Sequence, residues 1–137
     1  MLFEKSKSEK IAQDLLGMQF EIGGRGPDKI DCYGVLVRYY KKFDLDLPDY
    51  SYAEDWSGNT DLYLKEYSQF ARKLDPTEEL EVGDMIMFTS KEDPNHAGIY
   101  LGEGRFIHAY EKAGTRIDSL TNKVWKKKIY GRFRANK

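Results

Sequence analysis

One cysteine, two histidines and four prolines make up the whole supply of three informative residue types in this 137-residue chain. A single cysteine cannot close an internal disulfide, so Cys32 stays a thiol, available for packing or for chemistry. That excludes a disulfide-stapled scaffold and fits a reducing compartment. Charge of one sign is also missing, since 22 Lys and Arg stand against 23 Asp and Glu. No overall basic field exists to attract nucleic acid or an anionic surface, and neither is expected as a partner. No stretch approaches the roughly twenty apolar residues of a spanning helix, so membrane insertion is not expected. The first residues, MLFEKSKSEKIAQDLL, lack the apolar region and small-residue cleavage site of a signal peptide, which predicts synthesis in the cytoplasm.

What the chain does hold is 40% apolar residues and 14% aromatic, enough to fill one core, and a single domain over residues 1–137 is expected. Ser8 is placed to cap a helix running to Gly17, with Ile11, Leu15 and Leu16 near one face. The segment EIGGRGPDK can propagate neither a helix nor a ladder and reads as a loop. It delivers Asp31, the expected N-cap of a helix in which Val35, Leu36, Tyr39, Tyr40 and Phe43 recur at helical spacing. A connector containing Tyr50, Tyr52 and Trp56 follows, and helical periodicity returns from about Asp61 to Leu74.

The second half changes texture. VGDMIMFTS, HAGIYLG, GRFIHAYE, GTRIDSL and KKKIYGRFR are short β-branched and aromatic runs broken by turn residues, and they read as strands. GEGR forms a tight hairpin turn, and the final two segments are expected to close a small antiparallel sheet. Helices first and strands afterwards predict an α+β domain with N-terminal helices packed on a C-terminal antiparallel sheet.

Chemistry concentrates at Cys32. The thiolate is the nucleophilic form, and the unpaired N–H groups and dipole of a helix N-terminus favour that anion. His96 and His108 lie twelve residues apart on two strands joined by the GEGR turn, so a hairpin can bring their imidazoles together. A neutral imidazole takes a thiol proton, and a second group on its other nitrogen fixes the tautomer. Cys32, His96 and His108 thus suit nucleophile, base and orienter. Two unrelated sheet histidines and a buried cysteine would explain the same spacing.

DCYGVLVR is similar to the Asp-Cys-x-Gly-hydrophobic signature of the NlpC/P60 cysteine peptidases, and HAGIYLGEGRFIHA resembles their base strand and the segment carrying the third residue. VGDMIMF and the closing IYGRFR resemble two further strands, so the likeness spans nearly the whole chain. It implies a papain-like fold with Cys32 attacking a carbonyl, His96 as base and then acid, and His108 orienting His96. It implies as substrate the amide between D-glutamate and a diamino acid in peptidoglycan stem peptides, with no cofactor and no metal. The LPDYSYAEDW connector and the compact single domain resemble members from bacteriophage tail modules and prophage particles. That implies phage tail proteins as partners and incorporation into a phage tail or virion.

Two positions depart from the family pattern. Many members carry a tyrosine twelve residues before the cysteine, where its hydroxyl holds the tetrahedral intermediate; here the position is Phe20. Tyr33 stands where relatives often carry serine, and its ring either narrows the mouth of the site or packs outward. Asp31 and Arg25 complete the candidates, Arg25 as a partner for a substrate carboxylate or as a solvated loop residue. KVWKKKIYGRFR is locally basic, which alternation along a terminal strand explains without a ligand. Three rivals keep the same residues: a zinc site at Cys32, His96 and His108, a catalytically weak or inactive structural tail component, and an acyltransferase or amidase using the same thiol and imidazole.

Overall fold

The computed structural model describes residues 3–47, 70–89 and 96–136. Tyr50, Tyr52, Trp56 and the expected helix from Asp61 to residue 69 lie outside the described residues. Within them, helix α1 (Lys5–Leu15) and helix α2 (Cys32–Lys41) precede a six-stranded antiparallel sheet. Its strands are β3 (Ala71–Lys73), β4 (Met85–Phe88), β5 (His96–Gly102), β6 (Arg105–Tyr110), β7 (Gly114–Ser119) and β8 (Ile129–Ala135), in the order β3-β8-β4-β5-β6-β7. A parallel pair, β1 (Gln19–Phe20) and β2 (Lys29–Ile30), frames the glycine-rich loop. The architecture is α+β, as the order of periodicities predicts.

Pleating divides the sheet into two faces. Met85, Met87, Ala97, Ile99, Leu101, Ile107 and Ala109 point to one side and join the α1 and α2 side chains in the main core. Ile86, Phe88 and Phe106 point to the other and form a smaller cluster with Trp125, Leu120 and Ile129. Both helices pack on the first face, α2 across β5 and β6. Phe3, Tyr39, Tyr40 and Phe43 stack edge-on beneath α1, with the Phe3 and Phe43 centroids 4.9 Å apart. The Tyr40 hydroxyl donates to the Gly83 carbonyl at 2.7 Å, so a buried polar tip is satisfied.

Four expectations change. Helix α1 begins at Lys5, and Ser8 lies buried inside it rather than capping it, its hydroxyl 2.9 Å from that of Tyr39. A satisfied buried hydroxyl costs the helix little. Gly17 does follow the C-cap with a φ of +84°, and the chain there bonds to β7 through Gly17 N–H to Thr115 O and Thr115 N–H to Met18 O. Ala71–Lys73, expected as helix end, is a strand because it meets the free edge of β8, and tertiary pairing overrides a weak local preference. β7 and β8 do not pair with each other; β8 crosses back to lie between β3 and β4. Finally, KVWK is a one-turn helix, α3 (Lys123–Lys126), capped by the Asn122 side chain, and the last strand starts only at Ile129.

The GEGR turn is as expected. Gly102 pairs with Arg105, and Glu103 and Gly104 both take positive φ, 57° and 75°, the signature of a type I′ hairpin. On the other side of the sheet, Arg134 of β8 clamps the buried Asp84 with Nε and Nη2, each 2.9 Å from a carboxylate oxygen. Asp84 is 1% exposed and also accepts from the Glu81 N–H. Arg134→Met would leave that carboxylate buried without its cation, and a loss of about 3 kcal/mol in urea unfolding is expected.

Candidate active site

Asp31 organises the start of α2. Its Oδ1 accepts from the Gly34 N–H at 2.7 Å, the N-cap bond of the helix, and its Oδ2 accepts from the Gly23 N–H at 2.8 Å. Arg25 Nη1 donates to the same Oδ1 at 2.9 Å and to the Gly24 carbonyl. The Asp31 N–H in turn donates to Gly24 O, and Arg38, nearly two turns along α2, donates to Arg25 O at 3.0 Å. The glycine loop is therefore tied to the helix at both ends of a short segment. Gly34 makes this close approach possible, since a Cβ there would meet Gly24 O at 2.5 Å.

Each candidate from the sequence has a place in this arrangement. Cys32 opens α2 and is 7% exposed. Asp31 and Arg25 are engaged with the loop and with each other. Tyr33 is 3% exposed, so it does not pack outward, and the Arg25 guanidinium lies 5.3 Å from its ring centroid. Phe20 pairs with Ile30 in the β1–β2 ladder, two residues before Cys32, and its half-buried ring packs against the main core.

The two histidines meet. His96 Nε2 and His108 Nδ1 are 2.7 Å apart, brought together by adjacent antiparallel strands. Gly98 gives the rings room, because a Cβ at that position would meet Ile107 O at 2.9 Å and His108 Cβ at 3.3 Å. His108 is fully buried, and its Nε2 lies 2.7 Å from Asp118 Oδ2. Trp125 covers the pair, stacked on His96 at 5.6 Å and edge-on to His108 at 4.7 Å. Phe88, Phe106 and Tyr110 complete the aromatic surround.

The imidazoles thus belong to the second face of the sheet, while Cys32 belongs to the core beneath α2. What joins them is the packing of α2 across the two strands that carry the histidines. Hydrogen-bond partners fix the tautomers. A carboxylate only accepts, so His108 Nε2 carries the hydrogen and its Nδ1 holds the lone pair that receives His96 Nε2–H. His96 Nδ1 is left with a lone pair, as a base requires. Burial is the main cause that lowers the pKa of His96, to about 3, and the nearby His108 and Lys128 add to it. Burial also lowers His108, with the bond to Asp118 opposing. Both rings are neutral at physiological pH. Among the described residues no group of three or more His, Cys, Asp or Glu side chains is arranged to hold a metal ion.

Two residues of this surround escape a reading of the sequence. Asp118 has a signal: His108 pairs with Arg116, and Asp118, two residues on, shares the face and lies on the diagonal. Trp125 has none, because it reaches the site only through the one-turn helix hidden in a lysine-rich run.

Residues 17–134 match the model of the NlpC/P60 family. The chain belongs to the NlpC/P60 family. It is 30% identical over 125 residues to the murein DD-endopeptidase MepS/murein LD-carboxypeptidase of Escherichia coli K12, covering 90% of this chain and 59% of that protein. It is 32% identical over 127 residues to the probable peptidoglycan endopeptidase LytE of Bacillus subtilis 168, covering 92% of this chain and 33% of that one. The chain therefore spans between a third and three fifths of the length of these relatives. In fold it is similar to an NlpC/P60 family protein from Bacillus cereus, with a TM-score of 0.74 at 20% identity over 96% of this chain and 40% of that chain.

The neutral histidines make stability depend on pH. In an unfolded chain an imidazole titrates near 6.5, whereas in this NlpC/P60 domain both values are lower. Between pH 6.5 and about 3 the unfolded state binds the additional protons, so stability falls as pH drops through that window. His96→Asn removes one of the two groups, and a shallower slope of unfolding free energy against pH is expected from urea titrations across that range. Equal slopes would show that these rings are not the source.

Proposed function

We propose that this domain is a cysteine peptidase that hydrolyses peptidoglycan stem peptides. The observation that carries the reading is a thiol at a capped helix N-terminus on a helix packed against the strands of a hydrogen-bonded, neutral histidine pair. Family membership and the names of the relatives, a murein endopeptidase and a probable peptidoglycan endopeptidase, supply the substrate class.

In this reading His96 Nδ1 takes the Cys32 proton, and the thiolate adds to the carbonyl carbon of the scissile amide. The tetrahedral intermediate collapses with cleavage of the C–N bond, and the amine leaves with the proton from His96. Water, deprotonated by the same nitrogen, hydrolyses the thioester and restores the thiol. His108 holds the His96 ring in the required tautomer throughout. The bond proposed is the one between D-glutamate and the diamino acid, and the proposed setting is a phage tail that opens a local path through the wall. The family resemblance of the cysteine and histidine segments supports the bond, and that of the LPDYSYAEDW connector supports the setting.

Time-resolved mass spectrometry of purified stem peptides tests the reading. Cleavage by the wild type and none by Cys32→Ala is expected, and the product masses identify the bond. Cleavage that survives Cys32→Ala would remove the nucleophile, and a folded, reduced wild type that leaves every stem peptide intact would remove the peptidase.

Phe20 gives a second prediction. A tyrosine hydroxyl beside the start of α2 would add a donor to the developing oxyanion, and one such donor is worth roughly a hundredfold in rate. Phe20→Tyr is expected to raise kcat in the same assay, with KM little changed. An unaltered kcat would show that another group already fills that role.

A further inference from the structure

Beyond the pair of histidines, the hydrogen-bonded chain has a third member on the next strand. We propose that Asp118 is a positioning residue for the base, acting through His108; this rests on the peptidase reading above. The three groups stand in line, with His96 Nε2 to His108 Nδ1 and His108 Nε2 to Asp118 Oδ2 both at 2.7 Å.

Tautomers link the three groups. A neutral imidazole has one N–H and one lone pair, and His108, fully buried, has two nitrogens facing two partners. Were its hydrogen on Nδ1, the Nε2 lone pair would face a carboxylate that has no proton to give, and His96 Nε2 would have to accept. His96 would then carry its own hydrogen on Nδ1, the wrong side for removing a proton from a thiol. Asp118 excludes that arrangement by accepting from Nε2. It therefore sets the protonation pattern of a ring it does not touch.

The charge of Asp118 acts in the same direction. When His96 takes the thiol proton, a positive ring appears among Phe88, Tyr110 and Trp125, where solvent screens it only in part. The carboxylate lies one imidazole away and opposes that charge. Other charged groups face the chain: Arg116 Nε is 3.0 Å from the same Oδ2, and Lys128, placed over Trp125, acts on His96. Arg116 also holds the carboxylate oxygen in place. An amide at position 118 can turn its carbonyl oxygen to the same His108 Nε2–H. Asp118→Asn thus removes the charge with the acceptor retained, and Asp118→Ala removes both.

These variants separate the proposal from a structural role and from the peptidase reading itself. Nitrogen-15 NMR of histidine-labelled protein reads each tautomer with no substrate present. The wild type is expected to show His108 protonated at Nε2 and His96 at Nε2, Asp118→Asn the same pattern, and Asp118→Ala a loss of the His108 preference. With stem peptides, Asp118→Asn is expected to lower kcat by about tenfold and Asp118→Ala by roughly a hundredfold, KM staying within about twofold. The acid limb of the Asp118→Asn pH profile is expected at lower pH, because the carboxylate favours the protonated rings. Wild-type tautomers in a folded Asp118→Ala, or a wild-type kcat in that variant, would overturn the proposal. If no stem peptide is cleaved by the wild type, the NMR comparison still decides it.

Discussion

The carboxylate of Asp31 is the point on which the arrangement of this domain turns. One side chain caps α2 through the Gly34 N–H, gathers the glycine loop through Gly23 and pairs with Arg25. A capping bond is worth about 1 kcal/mol in a simple helix. Here it also decides where the helix begins, and so which residue occupies its first position. With the cap one residue later, the thiol would sit in the loop, away from the helix N–H groups.

Much of this was legible in the sequence, and for identifiable reasons. The glycine loop, the Asp31 cap and the helix after it are local features, set by neighbouring residues. The meeting of His96 and His108 was legible only in part: the two-residue turn makes the hairpin, but a register shift between Tyr100 and Gly102 is what puts both rings on one face. What stayed hidden depends on distant parts of the chain. Nothing in GTRIDSL and KKKIYGRFR says that β8 leaves β7 to pair with β4, because both are exposed-edge patterns of equal quality. Ala71–Lys73 looks helical until the edge of β8 is present to receive it. Ser8 resembles a cap, yet its hydroxyl bonds to Tyr39, thirty-one residues away.

The candidate site joins two packing systems that share one sheet. Cys32 answers to the main core below α2, and the imidazoles answer to the smaller aromatic cluster on the reverse face. The aromatic side explains the electrostatics. Phe88, Tyr110 and Trp125 keep much of the water from His96, and a poorly hydrated imidazole favours its neutral form. The resemblance to a family pointed to the two histidines that meet on the sheet but was silent on the groups around them, since Trp125 and Asp118 stand outside the motifs.

The backbone bonds between Gly17, Met18 and Thr115 have a consequence for the domain in company. Thr115 lies on β7, an edge strand, and an edge strand offers its unpaired amides to any extended chain that drifts past. The exit of α1 occupies the first of those amides from within. At the opposite edge, β3 is only three residues long and ends in Arg72 and Lys73, both exposed. The sheet is thus guarded on both flanks against templated stacking with its own copies, by chain at one edge and by charge at the other.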